Sequence, residues 1–501
     1  MKTQKLNFLL AFFLIAIFTC CDLNEVPSDS ISSASVAENP AGLEAVLNGC
    51  YALFKDGASF NGVVDDNNNF LRQYYQMSDF SADDIACGQV TEDPFFYSFT
   101  YTHSPEQSNA RFFWFISYKM ISGANTVIEV GEGVSDAGAD INQYIGEAYF
   151  VRALAHLNLV KFFAKPYAID PSAPGVILRL SNTGESIVAR ASVEEVYKQI
   201  EKDLLKAAEL MTTDRGKQYA SKEAAYGLLS RVYLYMENNN EAINYATLAI
   251  ESGKYSIASV DEYPSLFPNA LNSSETMFAI GMTQSDNRGK FGSIASMIYS
   301  DGNSGWGEEF ASSDYRKVLD ENPQDARHNY IIQDTVVGTR NGLEIYYISK
   351  FSFQDGDPNL ASPIVLRLSE VYLNRAEAYA KNGDAASALA DVDMIRLNRG
   401  LEDALYNGNS GSLSTLDAVL KERRLELAFE GHRHYDLIRN GFDIKRNYWG
   451  YHIPGLSETD IDLSVLPDGF ANTIIPNSDP RNIYFIPIDE ILANNLCTQN
   501  P

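Results

Sequence analysis

The chain has 501 residues, 45% of them hydrophobic and 12% aromatic, which is enough material for a large core. Its formal net charge is −27, so its surface repels phosphate backbones and argues against nucleic acid as a partner. Anionic polysaccharides are disfavoured for the same reason.

Lys2 and Lys5 precede an apolar run from Leu6 to Phe18 that only Asn7 interrupts. A bilayer-crossing helix needs about 20 apolar residues, so this shorter run reads as the core of a signal peptide over residues 1–20. Thr19-Cys20-Cys21 follow at once, in the manner of a lipobox whose cysteine takes a lipid and becomes the new N-terminus. Cys21 is favoured, because Phe18 then lies at minus three with smaller residues beside the cut; Cys20 is the alternative. Polar and acidic residues over 21–39 read as a lipidated tether. Cys50, Cys87 and Cys497 are odd in number and unrelated in spacing, so neither a disulfide framework nor a zinc signature is expected.

From Pro40 the pattern changes. Leu43, Val46, Leu47, Cys50, Tyr51 and Phe54 recur at steps of three and four, the mark of an amphipathic helix. The same period returns over 109–131, 142–163, 192–211, 221–237, 240–252, 363–381, 384–399 and 414–430, which predicts a mainly α fold. Glu147-Ala-Tyr149-Phe-Val-Arg152-Ala153-Leu-Ala155-His156 matches Glu370-Val-Tyr372-Leu-Asn-Arg375-Ala376-Glu-Ala378-Tyr379 at five of ten positions. Tyr226, Ser230 and Tyr233 keep part of the same skeleton. Short turns at 238–240 and 382–384 then lead into second helices, marked by Ala242, Ala246 and Ala249 in one and by Ala388, Val392 and Ile395 in the other. This is a tetratricopeptide-like pattern, in which helix pairs must stack to hide their apolar faces.

The period is lost over 56–108, 254–362 and 441–501, where Gly, Ser, Asn, Asp and Pro predict loops. Residues 40–501 are therefore expected to form one domain: a helical scaffold over 40–55, 109–253 and 363–440, carrying irregular insertions that supply a ligand-binding face. Sugar binding needs exposed aromatic faces flanked by amides and charges. Trp306 in Gly305-Trp306-Gly307 is the leading candidate, with Tyr299 and Asn303 nearby; Phe96, Tyr97 and Tyr101 form a second group. Trp114 lies in a helical pattern and reads as core.

Near the C-terminus, Glu422-Arg423-Arg424-Leu-Glu426-Leu-Ala-Phe429-Glu430-Gly431-His432-Arg433 runs on to Asp436-Leu437-Ile438-Arg439. The spacings permit helical i,i+3 and i,i+4 pairs, and Glu422, Arg423, Glu426, Glu430, Arg433 and Asp436 read as structural, as do Arg152 and Arg375. His432 and His434 are two apart and would diverge on a helix, so no metal site is expected there. Asp65-Asp66 and Asp83-Asp84 invite comparison with glycosidase carboxylates, but among 66 acidic residues such pairs mean little. The oxygen-rich stretch 64–69 lacks EF-hand spacing and reads as a solvated loop. No catalytic motif and no cofactor motif is present.

This C-terminal block resembles that of the SusD/RagB family of Bacteroidetes outer-membrane lipoproteins. The lipobox, Asn48-Gly49-Cys50-Tyr51, Tyr118 to Asn125, Gly146-Glu147-Ala148 with Arg152-Ala153, Pro487-Ile488 and Asn500-Pro501 extend the resemblance over the mature chain. It implies about four tetratricopeptide-like helix pairs displaying loops that bind nutrients, most often glycans, without cleaving them. It also implies a lipid-anchored place at the outer membrane, facing the exterior. There such a protein serves as the lid of a SusC-like, TonB-dependent transporter and delivers oligosaccharides into it. A receptor for peptides or another nutrient is the alternative, and a surface glycosidase the weakest one.

Overall fold

The computed structural model describes residues 40–55, 70–88, 93–134, 138–185, 187–336, 338–340, 343–448 and 473–501. Cys20, Cys21, the tether, Asp65 and Asp66 lie outside them. Helices carry the frame: α1 (Pro40–Ala52), α2 (Phe70–Ser78), α3 (Pro94–Phe99), α4 (Ser108–Glu132), α5 (Ala139–Phe163), α6 (Val193–Leu210), α7 (Lys222–Tyr235), α8 (Asn239–Glu251), α9 (Leu368–Lys381), α10 (Ala385–Leu397), α11 (Thr415–Glu426) and α12 (Arg433–Arg439). Each packs on the next through α4, α5, α6, α7 and α8; α9 then lies on both α7 and α8, while α10 and α11 close on α9. The mainly α, paired-helix architecture expected from the periodicity is the one observed.

Small residues set how closely these helices approach. A Cβ on Gly123 of α4 would sit 2.5 Å from the Cys50 sulfur of α1, and one on Gly227 of α7 would sit 2.9 Å from Leu366. Helix starts follow the expected chemistry: Ser192 caps α6 in a reciprocal box with Glu195, and Ser221, Asp384 and Ser414 cap α7, α10 and α11. The repeated arginines fasten one helix to another. Arg152 of α5 holds Asp203 of α6 at 2.7 and 2.8 Å, and Arg375 of α9 holds Asp391 of α10 at 2.8 Å through both nitrogens.

Two predicted helices are shorter than their periodicity. Residues 364–367 form a strand that pairs antiparallel with 276–279, since β-branched Ile364 and Val365 suit a sheet and the pairing ties the long insertion to the start of α9. α11 ends at Glu426, because Phe429 and Gly431 take left-handed backbone angles of φ 67° and 84°. Conversely, the stretch expected to be loop over 56–108 contains α2 and α3. Short strand pairs join 85–87 to 309–311, 331–333 to 346–348 and 444–446 to 473–475. One apolar cluster includes Leu43 of α1, Phe163 of α5, Met297 of the insertion and Ile486 near the C-terminus. Cys50, Cys87 and Cys497 are buried and form no disulfide among the described residues.

The C-terminal block is held mainly by long-range pairing, with one pair at the expected helical spacing, Arg439 to Asp436 at 2.7 Å. Arg423 reaches Asp436, and Arg424 and Arg433 reach Asp84 and Asp83. His432 lies outside any helix, and burial drives its pKa and that of His434 down. Gly431 is required where it stands: a Cβ there would be 2.2 Å from Tyr74, and its carbonyl accepts from Lys161 Nζ at 2.6 Å. Its N–H donates to Asp79 Oδ2, also at 2.6 Å.

Burial pushes the Asp79 carboxyl up to about 7, with Asp84 and Glu430 adding to the rise and Lys161 opposing it. An acid raised in the folded state binds more protons there than in the unfolded chain, where its pKa is about 3.9, so its contribution to stability declines as pH rises between those values. Asp79→Asn keeps an acceptor for Gly431 N–H and removes this titration. Melting temperatures from pH 4 to pH 8 should therefore fall less steeply with pH in Asp79→Asn than in the parent; parallel curves would contradict the assignment.

Candidate functional site

The insertion carries an aromatic platform whose backbone is held by hydrogen bonds and by two glycines. A helical turn, Ala295–Ile298, offers the Ser296 carbonyl to the N–H groups of Trp306 and Gly307, at 2.8 and 3.1 Å. Both glycines beside Trp306 are left-handed, with φ 70° at Gly305 and 56° at Gly307. A Cβ on Gly305 would lie 2.2 Å from the Tyr299 carbonyl oxygen, and one on Gly307 2.3 Å from the Tyr347 ring. Only glycine fits at either side, so the loop presents Trp306 in one pose.

Trp306 is half-buried, and its ring lies 5.7 Å from that of Phe291 at an interplanar angle of 31°. Phe291 is 62% exposed, an unusual state for so large an apolar side chain. Beneath them, the buried Arg72 guanidinium sits 5.3 Å from the Trp306 ring centre and also binds the Phe291 carbonyl and Asp93. Arg72 thus braces both rings by a cation–π contact and a main-chain hydrogen bond. The turn before Trp306 is closed by Asp301, whose Oδ1 accepts from the N–H groups of Asn303 and Ser304 at 2.8 and 2.6 Å, leaving the Asn303 side chain exposed.

Carboxyls lie on the same side of the fold. Glu309 pairs in register with Cys87, and its carboxyl is driven well above the ordinary range by burial, with Glu308 and Asp93 reinforcing the rise. The Arg72 guanidinium beneath the rings is already paired with Asp93, so its charge is committed within the cluster.

The other expected contacts are placed differently. Tyr299 is 9% exposed and packs edge-on against Tyr347 and Phe353, so it supports the platform from below and does not face solvent. Phe96 and Tyr101 are corrected to core: they are 3% and 2% exposed, and Tyr101 donates its hydroxyl to the Ser81 carbonyl at 2.8 Å. Tyr97 is half-buried on α3. Phe291 and Arg72 were not singled out from the sequence. For Phe291 a signal existed, because Gly289-Lys290-Phe291-Gly292 repeats the glycine-flanked aromatic of Gly305-Trp306-Gly307; for Arg72 there was none. Asp83 and Asp84, buried against Arg424 and Arg433, are occupied by those ion pairs.

The first part of the chain, residues 26–234, matches a family described as "Starch-binding associating with outer membrane", and residues 282–501 match the SusD family. SusD-like protein P2 of Formosa agariphila is 24% identical, with all of both chains covered. A SusD superfamily protein of Bacteroides thetaiotaomicron is similar in structure, with a TM-score of 0.78, 29% identity and coverage of 92% of this chain and 100% of that one. A laminarin binding SusD-like protein has a TM-score of 0.65 at 24% identity, covering 92% of this chain and 99% of the other. Among the described residues, no helix is long and apolar enough to cross a membrane.

Proposed function

This chain belongs to the SusD/RagB family, and from that premise we propose that it is a cell-surface receptor that captures neutral glycans on the Phe291–Trp306 platform. The observation that carries the reading is an exposed phenylalanine tilted against a tryptophan that two sterically obligatory glycines hold in place. Such a surface is suited to the apolar face of a pyranose ring, with the Asn303 amide available for its hydroxyls. The laminarin-binding relative supports a neutral glucan as a member of the ligand class. Binding without cleavage fits the commitment of Asp83 and Asp84 to arginines. In this reading a lipid on Cys21, or on Cys20, tethers the protein to the outer membrane. It then acts as the lid of a SusC-like transporter and passes oligosaccharides to it; co-purification with a large barrel protein from native membranes tests that partnership.

Isothermal titration tests the ligand class. Neutral β-glucan oligosaccharides should give saturable heats, and uronic-acid or sulfated oligosaccharides of the same length should bind at least tenfold more weakly. Flat heats with every neutral glycan, beside saturable heats with peptide fragments, would favour a peptide receptor instead.

A further inference from the structure

One face of α4 does more than fill the core. Arg111, Trp114, Phe115, Tyr118, Ser122 and Asn125, spaced by threes and fours, line a cavity of about 460 Å³. Its other walls come from the 177–184 segment and from 487–490 near the C-terminus, and it shares no lining residue with the platform. The polar tips of the aromatic wall are tied back into the protein: Trp114 Nε1 donates to Glu490 Oε2 at 3.3 Å, and the Tyr118 hydroxyl to the Ile177 carbonyl at 2.9 Å. Ring carbon is therefore what these residues offer the hollow. The charged groups of the rim sum to zero, with Arg111 and Arg179 set against Asp489 and Glu490. Arg111 holds Asp489 through two nitrogens at 2.6 and 2.8 Å, and Glu490 also accepts from Asn494 at 2.9 Å. The volume falls in the range of small-molecule sites, roughly 300–1,000 Å³, and an apolar floor with a few fixed polar groups is their usual lining.

We propose that this cavity is a second saccharide site, taking one or two neutral pyranose rings, apart from the Phe291–Trp306 platform. The balanced charges, of which Arg111 and Asp489 are paired with each other, disfavour an ionic ligand, and the aromatic wall beside carboxylate, guanidinium and amide groups matches a ring with one apolar face and a hydroxylated edge. The inference rests on the glycan reading above. Two separated sites would let a long chain be held at two points, raising avidity for polymer over short oligomers.

The probe is laminarihexaose, followed by saturation-transfer NMR and by titration of the purified protein. Gly184 lines the cavity with no atom within 4 Å of a Cβ built on it, so Gly184→Trp fills the hollow with little strain. In Trp306→Ala, weakened binding should persist, at least tenfold below the parent. Adding Gly184→Trp should abolish that remainder, while the single Gly184→Trp variant keeps the platform's affinity and melts like the parent. Complete loss in Trp306→Ala alone, or a remainder indifferent to Gly184→Trp, would overturn the second site and leave the platform standing. A parent protein that binds no neutral glycan would overturn both, as would a cavity that takes apolar peptides and no sugar.

Discussion

Glu426→Ala should be among the most destabilising single substitutions in the described chain. Glu426 is fully buried and lies within 2.6 Å of both Arg367 and Arg399, with Arg327 at 3.5 Å. Those arginines continue to Glu275, Glu430, Glu422 and Asp325, and the set is completed by Lys350 on Glu430 and Arg396 on Glu422. Five cations thus face five carboxylates in a region closed to water. Burial alone would raise the Glu426 pKa, but Arg399, Arg367 and Arg327 outweigh it and hold the carboxyl well below the ordinary range. Deleting it leaves one uncompensated positive charge, and breaking a buried pair from one side costs about 3–5 kcal/mol. A urea midpoint lowered to match, or failure to yield folded protein, is the expected result. Glu426→Gln, which keeps the shape and loses the charge, should fall between. A midpoint for Glu426→Ala within error of the parent would refute the balanced-network account. Because the folded pKa of Glu426 lies below its unfolded value, its stabilisation is present at neutral pH and is lost as pH falls through the folded value.

That network also shows what could be read from the sequence and what could not. The helices were legible because α4 and α6 each bury one stripe, and a stripe repeats at a local period, although α5 is buried on every side over 150–163. Arg152 and Arg375 were legible because a repeat puts the same residue at equivalent positions of two helices, α5 and α9. Glu426 and Glu430 stood out as a charged run, yet their partners were invisible: Arg327 and Lys350 come from the insertion, 99 and 80 residues away. No period connects such residues, and only the closed fold brings them together. The aromatics divided for the same reason. Glycines beside Trp306 signalled a special backbone, whereas Phe96, Tyr101 and Tyr299 had the same composition as binding residues and were taken by the core. Nothing local separates a loop aromatic that faces solvent from one that faces its own scaffold. Trp114, assigned to core by its helix, is 5% exposed and belongs to the main apolar cluster, and the edge it leaves uncovered borders a cavity.

Trp306→Ala and Phe291→Ala should each weaken glycan binding by roughly 30-fold, the loss expected when an aromatic anchor worth about 2 kcal/mol is truncated. Their effects on stability should differ, which makes the pair informative. Phe291 is mostly exposed, so its removal should leave the melting temperature almost unchanged. Trp306 covers Arg72 and packs on the main cluster, so Trp306→Ala should lower it measurably. If binding followed stability, only Trp306→Ala would lose affinity; if binding follows the platform, both lose it alike. Gly305→Ala separates backbone from ring. The added Cβ meets the Tyr299 carbonyl and must shift the loop, so affinity should fall although both aromatic rings remain. Unchanged affinity in Phe291→Ala and Gly305→Ala together would place the glycan elsewhere, and the cavity along α4 would then be the first surface to test.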